Sequence, residues 1–190
     1  MQQTMKLASR FGTRAARVSR QGQRGASLLE AIAYLGIAAI VVIGAVALLN
    51  GAFSSAGSNA VMEQVNAIQT GVKKLYMASG NGYTGIATPA LVTAGVIPSD
   101  LAADADGNVT DNWGGAVTVA AGGVTGSQFT ISFANLPKTV CISALTSGGS
   151  WAAIAAGTSA KPTALKLPPS LTDAEAACPG DGNTITWTSN

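Results

Sequence analysis

The sequence predicts an α+β protein in which one long N-terminal helix, apolar enough in its first half to cross a membrane, is laid against a mainly antiparallel β-sheet. Three observations predict it. Ala31 to Leu49 is an apolar run of nineteen residues without a charge. Val61, Val65, Ile68, Val72 and Leu75 then recur at spacings of 4, 3, 4 and 3, the period of a helix with one apolar face. Beyond residue 88, short alternating segments are interleaved with helix start and stop signals.

The charge is unevenly placed. The 190 residues carry 11 Lys plus Arg and 9 Asp plus Glu, a formal net charge of +2, yet Lys6, Arg10, Arg14, Arg17, Arg20 and Arg24 all lie within the first 25 residues, where there is no acid. The remainder is net acidic. The chain contains no His, which argues against His-based catalytic triads and most zinc or non-haem iron sites. A composition of 47% hydrophobic and 11% charged residues is too apolar for a disordered chain and poor in charge for a cytosolic domain. It points to a membrane or a close-packed assembly.

As a helix, the run from Ala31 to Leu49 rises roughly 28 Å, close to the thickness of a bilayer core. The basic residues before it orient the chain with residues 1–25 in the cytoplasm and the bulk outside. A cleaved secretory signal has the same order of parts, but its apolar region typically runs about 7 to 15 residues, and Asn50 and Gly51 spoil the small-residue sites around Ala52 and Ala56. Glu30 is the informative residue, because a carboxylate in an apolar helix costs roughly 2.5 to 3.5 kcal/mol near the bilayer centre and is rarely there without a task.

Gly25-Ala26 followed by Ser27, Leu28, Leu29 and Glu30, with Arg24 before and the apolar run after, resembles the class III signal of type IV prepilins. The resemblance is specific over residues 24–49 and holds in outline beyond. It implies the type IV pilin fold, cleavage between Gly25 and Ala26 by a membrane aspartyl prepilin peptidase, and methylation of the new Ala26 amine. Ala26 stands where the family usually has Phe, Met, Leu or Val. It also implies that Glu30, at the fifth mature position, sets register in a filament by meeting the Ala26 ammonium of a neighbour. The long leader suits the type IVb group. The domain organisation expected is a leader 1–25, a transmembrane and polymerisation helix 26–51, and a globular head 52–190.

Along the chain, the helix is expected from about Ser27 to about Ser79, loosened at Asn50-Gly51 and Gly57 or broken there into two helices, and stopped by Gly80-Asn81-Gly82. Thr88-Pro89 to Gly95 carries a cap candidate, a Pro at the first helical position and a terminal Gly, hence a short helix. Asp100 to Gly115, with four Asp and three Gly, reads as exposed turns. Ala116 to Ala120, Phe129 to Ala134 and Thr184 to Thr188 read as strands, with Trp151 to Ile154 a further candidate. Leu136-Pro137 opens the segment KTVCISAL, and Thr172 to Cys178 reads as a capped short helix.

Cys141 and Cys178 both fall in the part placed outside, allow a single connectivity and are expected to form a disulfide. With the Asn112-Trp113-Gly114-Gly115 segment before it, that loop looks like the D-region of type IVb pilins, spanning 141–178, which makes subunit contacts and the variable surface. Asp104, Asp106 and Asn108 alternate like the start of a calcium loop, but the Gly and Glu an EF-hand needs are replaced by Val109 and Gly115. Asn108-Val109-Thr110 matches the N-glycosylation sequon. Lys73-Lys74 is too short a track for nucleic acid, and no phosphate-binding glycine motif is present. No cofactor, metal or direct nucleic-acid partner is expected.

The reading is a structural subunit and not an enzyme: a type IVb major pilin, anchored in the bacterial inner membrane as precursor and then carried in an extracellular filament of its own copies. The resemblance implies a prepilin peptidase, a cytoplasmic assembly ATPase and a membrane platform protein as partners, and adhesion, aggregation or mating-pair contact as tasks. Two alternatives remain: a minor pilin or type II secretion pseudopilin, and a membrane-anchored monomeric binding domain.

Overall fold

The computed structural model describes residues 27–158 and 162–190, so the cleavage residues Gly25 and Ala26 lie outside the described residues. The chain parts into two units after Gly44.

Helix α1 (Leu28–Tyr76) is a continuous 49-residue helix. The expected loosening at Asn50-Gly51 and Gly57 does not occur. A glycine inside a helix costs only about 1 kcal/mol against Ala, and the residues around Asn50-Gly51 are mostly Ala, Leu and Val. Gly57 also has a packing reason, because a Cβ there would press into the Trp113 indole, 2.8 Å away. In its last turn the apolar stripe passes through Tyr76, which packs against the core, and not through the expected Leu75. Val61, Val65, Ile68 and Val72 are each 0% exposed, whereas Leu75 is 51% exposed. Lys73 and Lys74 occupy the last turn, where positive charge suits the carbonyl end of the helix dipole.

In the unit Ala45–Asn190 the sheet has seven strands: β1 (Ala102–Ala103), β2 (Val109–Thr110), β3 (Ala116–Gly122), β4 (Gln128–Leu136), β5 (Ala153–Thr158), β6 (Thr163–Leu165) and β7 (Asn183–Ser189). Their spatial order is β1-β2-β3-β4-β7-β5-β6, and every neighbouring pair is antiparallel. The carboxyl-terminal strand thus lies inside the sheet, between β4 and β5. Alternation places Val117 and Val119 of β3, Phe129, Ile131 and Phe133 of β4, Ile154 of β5, and Ile185 and Trp187 of β7 in one core with the α1 stripe. Ile131 and Ile154 flank Trp187 on either side in register, and the Phe133 ring meets Trp187 edge-on at 6.0 Å. Gln69 Nε2 adds a polar tie from α1 to β7, donating to Ser189 Oγ at 2.9 Å.

Several boundaries differ from expectation, each for a tertiary reason. The acidic loop 100–115 contains β1 and β2, because the buried Val109 is paired with Val117 of β3. Helix α2 (Thr88–Thr93) has Ala87, not Thr88, as its cap residue; the Thr88 hydroxyl instead accepts the Val119 N–H at 2.9 Å, joining the helix to β3. The segment KTVCISAL is helix α3 (Lys138–Thr146). Strand β5 begins at Ala153 rather than at Trp151, and β6, with no strand signal of its own, exists by pairing with β5. Helix α4 (Leu171–Ala177) is capped by Ser170, whose hydroxyl accepts the Asp173 N–H while the Asp173 carboxylate reaches back to the Ser170 N–H. The cap is two residues upstream of the expected Thr172 and Glu175.

The segment Asp111 to Gly115 locks the head together. Asp111 is buried, and its Oδ1 accepts the N–H groups of Trp113 at 2.9 Å and Gly115 at 2.8 Å. Asn135 Nδ2 donates to the Trp113 carbonyl at 2.6 Å, and Trp113 lies over Gly57 of α1. Burial pushes the Asp111 carboxyl above the ordinary aspartate range, against the lowering effect of the two N–H donors. Asp104 and Asp173 are held below that range, chiefly by side-chain hydrogen bonds from Asn108 and Ser170.

Two outcomes follow. Gly115→Ala places a Cβ on the Ala134 carbonyl and is expected to destabilise the chain by about 3 kcal/mol, read as a lower unfolding midpoint in detergent. A carboxyl NMR titration should find Asp111 titrating above 3.8 and Asp104 and Asp173 below it. The signs are opposite: the Asp111 contribution to stability is complete below its unfolded value and is lost as pH rises through the folded one, whereas those of Asp104 and Asp173 are lost as pH falls.

Candidate functional site

Ser27 opens α1. Its Oγ accepts the Glu30 N–H at 3.2 Å, so the hydroxyl satisfies one of the helix's free amide donors. Glu30 then stands in the first turn, where a carboxylate is favoured by the dipole. The spacing of Ser27 and Glu30 is that of a capping box. That signal was available in the sequence, and it gives Ser27 a role that the charge pattern alone does not reveal.

From Leu28 to Phe53 every large apolar side chain is exposed, between 50% and 82%. The helix is long and apolar enough to cross a membrane, with a mean hydropathy of 2.7 in its most apolar window and none of that window buried. A helix apolar on all sides needs lipid or other helices around it. Glu30 is the one ionisable carboxylate between Ser27 and Phe53, so any close-packed surroundings must find it a partner.

Cys141, in the first turn of α3, and Cys178, at the end of α4, form the expected disulfide, with Cα atoms 6.1 Å apart and both residues 0% exposed. The pair encloses most of α3, β5, β6 and α4. The fold brings the two ends of this segment together over the core, while Leu171 at the start of α4 remains 58% exposed. The Asp104 to Asn108 turn is held by its own groups: Asp104 Oδ1 accepts the N–H of Asp106 at 2.9 Å and of Asn108 at 2.8 Å. Its carboxylate is thereby used in shaping a turn.

The family model described as PilS N terminal matches residues 55–190. No curated protein matches the sequence. Among solved structures, a type IVb pilin from Salmonella typhi is similar at 20% identity and a TM-score of 0.50, with 64% of this chain and 91% of that one covered. TcpA, a type IV pilin from Vibrio cholerae El Tor biotype, is similar at 16% identity and a TM-score of 0.50, covering 70% of this chain and 99% of that one. These likenesses show the fold, a long helix packed against an antiparallel sheet, and the family match covers well over half of the chain. The chain belongs to the PilS family and has the type IV pilin fold.

Proposed function

We propose that the protein is the structural subunit of a type IVb pilus, made as a membrane-anchored precursor and polymerised through its N-terminal helix. The observation that supports this reading is the exposed apolar segment Leu28 to Phe53, interrupted by the single acid Glu30 and continuous with a helix whose second half packs into the core of the PilS-family part of the chain. Pilins of this family are structural subunits and not enzymes.

In this reading the basic residues before Gly25 hold residues 1–25 in the cytoplasm. A prepilin peptidase cuts between Gly25 and Ala26, and the freed amine is methylated, which leaves it cationic. The Ala26 ammonium of one subunit then meets the Glu30 carboxylate of another. Buried singly, each charge is expensive; paired, they fix axial register more than they add stability. The apolar helices leave lipid and bundle, so the burial that drives assembly is helix against helix. A cytoplasmic ATPase acting through a membrane platform protein supplies the energy. The Cys141–Cys178 segment serves as the D-region, on the outer surface and between subunits. Adhesion, aggregation or mating-pair contact is the task of the finished filament.

Intact-mass spectrometry of protein sheared from cells is expected to show a chain beginning at methylated Ala26 and lighter by two hydrogens at its cysteines; a chain starting near Ala52, or retaining Met1, overturns the reading. Glu30→Ala is expected to abolish surface filaments while membrane insertion, measured by fractionation, is unchanged. Loss of filaments together with loss of insertion would reduce Glu30 to a folding residue, and normal filaments would sink the register role. Replacing Cys141 and Cys178 by Ser is expected to cost about 4 kcal/mol of head stability on the chain-entropy model, measured by denaturant unfolding of oxidised protein against the double variant.

A further inference from the structure

We propose that Asn108 is a glycosylation site, accepting an oligosaccharide from a lipid-linked pyrophosphate donor; the proposal rests on the reading that the head is exported. Asn108-Val109-Thr110 is the one Asn-x-Ser/Thr sequence in the chain, and a sequon becomes an acceptor only where a transferase can reach the carboxamide and the hydroxyl together.

The hairpin from β1 to β2 provides this. Asp104 and Asn108 face each other across a three-residue turn, with the Asp104 N–H donating to the Asn108 carbonyl at 3.0 Å and the Gly107 N–H to the Asp104 carbonyl at 3.1 Å. Gly107 has φ 80°, the left-handed conformation that such a turn demands of its last residue. Past the turn the chain is extended, so side chains alternate. Val109 points inward and is 2% exposed. Asn108 and Thr110 are both exposed, and the alternation puts them on the same outward side. The carboxamide and the hydroxyl two residues on are therefore presented together by the folded protein.

The present hydrogen bonds are compatible with transfer. Asn108 Nδ2 donates to Asp104 Oδ2 at 2.9 Å, and the Thr110 hydroxyl makes a long bond of 3.4 Å to the Ala102 carbonyl. In the reaction Nδ2 forms a bond to the sugar C1, the bond from C1 to the pyrophosphate oxygen breaks, the lipid pyrophosphate leaves with the electron pair, and one amide proton passes to solvent. The product keeps one N–H. Asp106, exposed and two residues before Asn108, adds a carboxylate to the recognised segment for a cationic group of the transferase. A glycan here stands beside β1, the outer strand of the sheet, where bulk and hydration discourage edge-to-edge pairing.

The test is mass spectrometry of the full-length protein's products from its native host, reading the N-terminal peptide and the tryptic fragment Leu75–Lys138 in the same sample. The expected result is a sugar mass on Asn108, absent in Asn108→Gln and Thr110→Ala and retained in Thr110→Ser. Thr110→Ala removes the long bond to the Ala102 carbonyl but none of the bonds of the Asp104 turn, and a far-ultraviolet circular dichroism spectrum unchanged from the parent assigns its loss of sugar to the missing hydroxyl. A chain beginning at Ala26 with a bare Asn108 overturns the glycan assignment and leaves the pilus reading standing. A glycosylated chain that retains residues 1–25 does the reverse, and a chain with its leader and a bare Asn108 overturns both.

Discussion

Val61, Val65, Ile68 and Val72 sit one helical turn apart and have no exposed surface, and the rest of the head is arranged around the need to keep them so. Each contributes about 1.5 to 3 kcal/mol by leaving water. A helix can offer only one stripe of this kind, and the sheet answers it with a single apolar face: Phe129, Ile131 and Phe133 from β4, Ile185 and Trp187 from β7. The outer face of β4 is correspondingly polar, with the Ser132 and Thr186 hydroxyls 3.0 Å apart across the strands. The first half of the same helix follows the opposite rule. It is apolar on every side and exposed among the described residues, which makes it a surface for lipid or for other helices.

The order of the sheet makes folding of the head a long-range affair. Strand β7 follows β4 and β5 in sequence and yet pairs with both of them, so the two halves of the sheet are not joined until β7 is in place. The Cys141–Cys178 disulfide closes the chain that must be traversed between β4 and β7 and so reduces the loop-closure entropy of that step. Asn183 completes the junction, its side-chain amide donating to the carbonyls of Leu136 and Gly180. The proposed D-region is thus held at both ends by the two strands that frame it. Its connecting parts, such as the exposed Leu171, are free to vary without disturbing the core.

Polar groups do the remaining fixing. The buried Asp111 organises its own loop through two backbone donors, and that loop lays Trp113 over Gly57. Gln64 Nε2, also on α1, donates to Asp100 Oδ2 at 2.6 Å. The second half of α1 is therefore gripped by packing along one stripe and by polar contacts at either side of it, an arrangement that fixes the rotation of that half against the sheet.

The sequence by itself determined the class of this protein, because the signals that carry it are local. Charge segregation, a nineteen-residue apolar run and a 3.6-residue stripe are properties of neighbouring residues, and the motif of Gly25, Ala26 and Glu30, on which the proposed function draws, is equally local. The strands with strong alternation, β3, β4 and β7, were legible for the same reason, as was the cysteine pair. What only the tertiary structure decided depends on partners distant in sequence. β1, β2 and β6 are two or three residues long and exist through pairing; Thr88 gives up its expected cap to serve Val119; and Leu75 falls outside the stripe because Tyr76, not Leu75, packs against the core in the last turn. Whether Asn50-Gly51 breaks the helix was likewise beyond local signals, since the cost of a glycine is small beside the context that holds α1 continuous.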